Sequence, residues 1–301
     1  MASINDETPS SSIDPNNVKP FPDQIAGHGQ ILHTEDNKML FKPLVQREHS
    51  FYEQAGKHPL LKSFIPEFYG TLQLNKDPSN GTDIQEQPFE SLLCLENLVC
   101  GFESPCVMDI KIGTRMHDID ATPEKAARMK AKADERTAIK IGFAVSGMSQ
   151  PGQPTRTMDW AIKLTTETVV TEALVPFFAT AESAIGSEYR RFIINQFITE
   201  VKEYRDVIRS SETRMYSSSL LLIYDTSKSR YARFLQKNTS DHGKDQVQDE
   251  NEDEEPENTD ALFDMRAIDF AHSHWVPGQG PDEQYLFGLD NLINILQQLL
   301  E

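Results

Sequence analysis

Cysteine and tryptophan are scarce, with three of the first and two of the second among 301 residues. Cys94, Cys100 and Cys106 make no CxxC pair and have no histidine at ligand spacing, which excludes a zinc ribbon and a disulfide framework. They read as small core residues of a reducing compartment. No apolar run approaches the roughly 18 residues of a membrane span. The opening MASINDETPSSS lacks the basic and apolar parts of a signal peptide, so the expected location is inside the cell. Basic residues are also short, 29 Lys and Arg against 47 Asp and Glu, for a formal charge of −18. Such a field excludes general duplex binding, and no direct nucleic-acid partner is expected. Missing too are GxxxxGK[ST], HRDxxxxN, GxSxG and HExxH, which excludes a P-loop, an ordinary protein kinase, an α/β-hydrolase elbow and a zinc protease. Gly27 and Gly29 give half of a glycine-rich loop, and HDID at 117 to 120 lacks the supporting ligands of a metal site.

What is present is an ordinary soluble composition, 38% hydrophobic and 25% charged, in a chain long enough for one large domain or two lobes. Half of the net charge sits in residues 240–260, where ten acids face Lys244 alone. That run predicts a solvated insertion over 238–260, or an interaction loop for basic protein partners. Residues 1–20, rich in Ser, Asp, Asn and Pro, predict a disordered tail. AGHGQILHTEDNKMLFKPL predicts a hairpin whose second strand carries Lys42, and REHSFYEQAGKH a short helix. SLLCLENLV is a strand running into a polar corner at Glu96 and Asn97. Tyr189, Phe192, Ile193, Phe197, Val201, Tyr204 and Ile208 recur at steps of three and four, which predicts an amphipathic helix over 183–210. MYSSSLLLIYD and DMRAID predict late buried strands, the second ending at Asp269, and Leu286, Leu289, Ile293, Leu296 and Leu300 a C-terminal helix. Strands early and long helices late indicate an α+β chain of two lobes.

The stretch PCVMDIKIG, Pro105 to Gly113, puts two charges inside an apolar segment. In a strand Met108, Ile110 and Ile112 face a core while Asp109 and Lys111 share the opposite face. A structural ion pair is the bland alternative. Three other stations follow in chain order: Lys42, the strand end from Glu96 to Leu98, and Asp269 near His272. Phosphoryl transfer needs such parts: a cation for nucleotide phosphates, a backbone edge for the base, a carboxylate for a metal and a positive acceptor pocket. DATPEKAARMKAKADER predicts a helix near 122–136 that starts at Thr122 and Pro123. On it Lys125, Arg128 and Lys132 fall on one face, either a solvated surface or a grip for a small polyanion.

Taken together these motifs carry a resemblance. PCVMDIKIG resembles the PxxxDxKxG signature of the inositol polyphosphate kinase family, matching at Pro105, Asp109, Lys111 and Gly113. SSSLLLIYD, Ser217 to Asp225, is similar to the family's serine-leucine strand, and AIDFAHS, from Ala267, to its metal-binding strand. The likeness runs from about Ile25 to the C-terminus, apart from the acidic insertion. LENLVCGF, DATPEKAARMK and GFAVSGM look most like the multikinase branch of fungal type.

The resemblance implies a two-lobed fold, protein-kinase-like or ATP-grasp-like. Residues 21–100 would form the nucleotide lobe and 101–301 the second, with ATP between them and Mg2+ as metal. It places Lys42 on the ATP phosphates with Glu48 as partner, and Glu96 and Leu98 at the adenine through their backbones. Asp109 would hold the ribose or orient the acceptor, and Lys111 would meet the inositol phosphate and the transferred group. Asp269 would hold the metal and His272 lie by the substrate. Lys125, Arg128 and Lys132 match the family's inositol-phosphate-binding helix. The implied activity is phosphorylation of inositol trisphosphate and tetrakisphosphate towards pentakisphosphate. Phosphoinositide headgroups would be a second class of acceptor, and a monomer of nucleus and cytoplasm is expected. Two alternatives stay open: a hexakisphosphate kinase making diphosphates, similar in EKAAR and GPDEQYLFGLDNLI, and a non-catalytic scaffold. The chain departs from the family at Trp160 to Thr165, WAIKLT, where Ala161 and Ile162 replace a glycine and a basic residue, so no role is implied for that segment.

Overall fold

The computed structural model describes residues 18–22, 24–25, 30–73, 91–115, 122–124, 127–128, 137–241 and 261–301. The first lobe is an antiparallel sheet of order β1–β2–β3–β5–β4. Its strands are β1 (Val18–Pro20), β2 (Leu32–Thr34), β3 (Met39–Pro43), β4 (Phe68–Gln73) and β5 (Ser91–Glu96). Two helices, α1 (Gln46–Ala55) and α2 (Pro59–Lys62), follow β3. Strand β5 is buried on both faces, which is why SLLCLE reads as an unbroken apolar run. Leu92 and Cys94 pack with Leu32 and Phe41, whereas Leu93 and Leu95 join Phe51, Tyr52 and Ala55 of α1 in the main core.

The second sheet has order β10–β9–β6–β7 and is also antiparallel. It comprises β6 (Pro105–Ile112), β7 (Phe143–Ser149), β9 (Ser219–Asp225) and β10 (Phe263–Ile268), while β8 (Thr213–Met215) pairs with β11 (Ser273–Trp275). Helices α3 (Thr137–Ile141), α4 (Met158–Ala161), α5 (Val175–Ala184), α6 (Ser187–Ser210), α7 (Lys228–Asp241) and α8 (Glu283–Gln298) complete it. One face of β6, made of Cys106, Met108, Ile110 and Ile112, is buried in the main core, with α6 and α8 contributing Ile193, Phe197, Tyr204, Leu289 and Ile293. Asp282 caps α8 by accepting from the amides of Gln284 and Tyr285 at 3.2 Å each.

Three expectations need correction. The long helix begins at Ser187, not 183, because Gly186 at φ 142° turns the chain between α5 and α6. The polar tail stops short of residue 18, since Val18–Pro20 adds an edge strand to β2, a place where proline is tolerated. The segment expected as an insertion from 238 begins inside α7, which runs to Asp241; residues 242–260 lie outside the described residues.

Candidate active site

Lys42 sits one residue past Phe41, whose ring is fully buried, so the lysine points the other way, towards the second lobe. Its Nζ donates to Glu48 Oε1 at 2.8 Å and to Asp269 Oδ1 at 2.6 Å. Glu48 stands in the first turn of α1, is fully buried, and also accepts the Phe270 amide at 3.1 Å through the same oxygen. Residues 227 apart in sequence thus meet, and the two lobes are stitched at this point. Asp269, just after β10, holds a left-handed φ of 67°, which a short acid tolerates better than a branched residue. Burial works against its charge, but Lys42, Lys111 and His272 outweigh it and hold the carboxyl at about 2. Burial opposes the Lys42 ammonium, but the carboxylates of Asp269 and Glu48 raise it above its ordinary value.

Asp109 and Lys111 do share the face of β6 opposite the core. Asp109 is 2% exposed, and among the described residues its Oδ1 has no hydrogen-bond partner. Burial raises its proton affinity most, Lys111 opposes that, and the nearby Asp269 adds to it. Opposite Asp109 the sheet is irregular: Asp109 pairs with Gly147 and Ile110 with Val145, so Ser146 is the extra residue of a bulge. Ser146 and Ser219 both favour the ionised Asp109. Lys111 donates to the Ser217 carbonyl at 3.0 Å and Ser219 Oγ at 3.4 Å. Ser217, at φ 57°, turns the chain so that its carbonyl faces the ammonium. Gly113 closes the signature at φ 93°, where its amide donates to Gly142 O at 2.7 Å.

The corner after β5 supplies a different surface. The Glu96 carboxylate accepts from the Glu67 amide at 3.0 Å and lies 3.9 Å from Arg266, so its side chain is tied outside the cleft. Asn97 donates to Asn37 O at 2.7 Å and Asn37 Oδ1 at 3.0 Å, pinning the connector to the β2–β3 turn. Leu98 is buried in an apolar cluster with Ile25, Val107 and Ile223, edged by Ile268. Among the described residues its amide donates to no acceptor. Val107 and Ile223 are cross-strand partners two residues along from Asp109 and Leu221, so one face passes from an apolar cluster to charged groups.

The structure therefore brings Lys42, Glu48, Asp109, Lys111, Asp269 and His272 to one cleft whose apolar end is at Leu98. Arg128 is exposed, and Lys125 and Lys132 lie outside the described residues. Sequence reasoning passed over the serines at 146, 217 and 219, which steady the two signature charges. The SSS run was the available signal, and it was read only as part of a strand. Asp225 at the end of β9 is structural: it accepts from the amides of Glu103 (2.7 Å), Ser104 (3.1 Å) and Ser227 (2.8 Å).

The donor set suits a hard cation shared with phosphates. Asp269 stays ionised with 30% of its side chain exposed, and Asp109 offers in the same cleft an oxygen with no partner among the described residues. Such a cation is held by one or two carboxylates while phosphate oxygens and water complete its shell. Among the described residues no group of three or more metal-ligating side chains exists.

Comparison with known proteins follows the same lines. A family model described as inositol polyphosphate kinase matches residues 92–297. The inositol polyphosphate multikinase of Schizosaccharomyces pombe is 30% identical over 294 residues, covering 94% of this chain and 98% of that protein. Rat inositol hexakisphosphate kinase 2 is 33% identical over 230 residues, 69% of this chain but 52% of its own. Among solved structures, the inositol phosphate multikinase Ipk2 of S. cerevisiae in complex with ADP and Mn2+ superposes with a TM-score of 0.69 at 26% identity, covering 88% of this chain and 100% of that one. The mixed α and β architecture in two lobes is the one these relatives share, and the chain is a member of the inositol polyphosphate kinase family.

Proposed function

We propose that the protein is an ATP-dependent multikinase that phosphorylates inositol trisphosphate and tetrakisphosphate, with Mg2+ as its metal. The observation that carries this is the meeting of Lys42 and Lys111, one from each lobe, around the ionised Asp269 beside the buried Asp109. Coverage of nearly the whole multikinase of S. pombe, against half of the hexakisphosphate kinase, favours the multikinase reading over the diphosphate-forming one.

ATP and its divalent metal supply the transferable phosphoryl group; the protein holds and neutralises. Lys42, fixed by Glu48, presents a rigid ammonium to the nucleotide phosphates. Asp269 offers the metal an oxygen that stays charged far below neutral pH. Lys111, held by Ser217 and Ser219, faces the acceptor and balances charge growing on the transferred group. Asp109, with its spare oxygen, orients the attacking hydroxyl; a loose transition state asks little of a base. The Leu98 amide and the apolar slot around it receive the adenine. Arg128, with Lys125 and Lys132, would grip the ring phosphates.

Lys111→Ala and Asp269→Asn are expected to lower kcat at least about 100-fold, the range for removing a group that acts on transition-state charge. Both should keep the circular dichroism spectrum of the parent. Turnover of purified inositol trisphosphate by either variant at the parental rate would reject the assignment.

A further inference from the structure

The acceptor side of the cleft does not end at Lys111. Lys111 is paired with Ser219 across β6 and β9, and the next amide, that of Ile112, donates to Ser218 O at 3.1 Å. An antiparallel ladder continued in that sense carries the chain past Ser217 and then Tyr216. It delivers Arg115 there. The guanidinium lies over the Tyr216 ring, 4.4 Å from the centroid, and its Nη1 donates to the Tyr216 hydroxyl at 3.4 Å. Tyr216 is 7% exposed, so its ring is a fixed platform for a half-buried arginine.

Two routes tie this cation to the reacting groups. Tyr216 precedes Ser217, whose carbonyl holds the Lys111 ammonium at 3.0 Å, so the two cations are anchored on consecutive residues of one turn. On the other side, His272, whose charge helps hold Asp269 ionised, is two residues from His274, and the His274 ring stands 6.3 Å from that of Tyr216. Arg214, the cross-strand partner of His274, has a different task. It donates to the carbonyls of Thr213 (2.8 Å), Gln279 (3.1 Å) and Gly280 (2.9 Å), which fastens the loop before α8. Seating over a ring engages the face of a guanidinium, whereas its five donors lie in the plane, the geometry that meets two oxygens of one phosphate.

We propose that Arg115, on its Tyr216 platform, is an acceptor-binding residue that takes a ring phosphate neighbouring the group that Lys111 meets. The proposal rests on reading the cleft as an inositol phosphate kinase site and adds to it a residue that sets acceptor affinity. A polyphosphorylated inositol carries anions on neighbouring carbons, and a compact ammonium acts on them as a point charge. A planar fork anchored one residue along meets the next anion. Losing the fork should weaken acceptor binding and spare the nucleotide side, which Lys42 and Glu48 hold together.

Calorimetric titration of the full-length protein with inositol trisphosphate, and separately with ADP and Mg2+, tests this without turnover. Arg115→Gln is expected to weaken trisphosphate binding at least about ten-fold, the scale of one charge-assisted contact, while ADP affinity moves less than about two-fold. Arg115→Lys should recover part of the loss, because a charge remains where the fork is gone. In the kinase assay the KM for trisphosphate should rise with little change in that for ATP. Parental trisphosphate affinity in Arg115→Gln, or an equal fall in ADP affinity, would overturn the proposal. So would Arg115→Lys binding no better than Arg115→Gln, the mark of an arginine that only packs on Tyr216. If Arg115→Gln fails to fold, Arg115→Lys decides alone: it must bind trisphosphate about three-fold or more weakly than the parent with ADP affinity retained. A parent that binds ADP but no inositol phosphate would refute the acceptor reading and this proposal with it. A parent that binds both, beside an unimpaired Arg115→Gln, would refute this proposal alone.

Discussion

Asp269 and Asp109 are two acids in one cleft whose surroundings push their proton affinities in opposite directions. Asp269 is held at about 2 against an ordinary 3.8, so its ionised form stabilises the fold above 3.8, and that stabilisation is lost as pH falls through about 2. The difference corresponds to roughly 2 kcal/mol. Acid unfolding followed by circular dichroism should therefore steepen in the parent between pH 4 and pH 2 by about that amount, and Asp269→Asn should lack the step. Asp109 behaves the other way: its raised value means that the ionised form costs stability at neutral pH, a cost relieved as acid protonates it. Asp109→Asn is expected to raise the thermal midpoint by about 2–4 °C while turnover falls at least about 100-fold. Scanning calorimetry together with the kinase assay checks both halves, and a lower midpoint would contradict a net cost of burying this carboxylate in its ionised form.

At the scale of elements, the cleft depends on backbones that approach more closely than side chains allow. Gly288 in α8 lies against Gly142, and a Cβ on Gly288 would meet the Gly142 carbonyl and lie 3.1 Å from the Gly113 amide, which itself bonds Gly142 O. Gly288→Ala should destabilise the protein by roughly 1–3 kcal/mol, read as a lowered urea midpoint. An unchanged midpoint would mean that α8 can slide away from the signature strand. Much of this level was legible in advance. The alternation in β6 placed Met108, Ile110 and Ile112 in the core and the two charges opposite, because one buried face dictates a period of two. The apolar stripes of α6 and α8 were equally plain. What escaped had no local signal. The bulge at Ser146 is a property of pairing with β6, and the bonds from Asp225 to the connector amides join segments over 100 residues apart. Helix α7 was missed because its sequence is mostly polar; Tyr231 and Phe234 supply its contact with the core and are only partly buried.

For the whole molecule, the order of stations along the chain was readable, but their convergence was not. Lys42 and Asp269 are 227 residues apart, and only folding reveals that one ammonium links Glu48 and Asp269. The resemblance to a known family supplied expected roles for the residues; the geometry adds one face graded from an apolar cluster to charged groups. The acidic residues between 243 and 260 contribute none of these groups. Their removal is expected to leave turnover within about two-fold of the parent. A collapse of activity on removal would move part of the site into that segment. The most direct test of the account is a single incubation of the purified protein with ATP, Mg2+ and separate inositol tris-, tetrakis- and hexakisphosphates, resolved by anion-exchange chromatography. The account predicts more highly phosphorylated products from the tris- and tetrakisphosphates, and none from the same incubation with Lys111→Ala. A folded parent protein that leaves both acceptors unchanged, or a Lys111→Ala variant that converts them equally well, would contradict it.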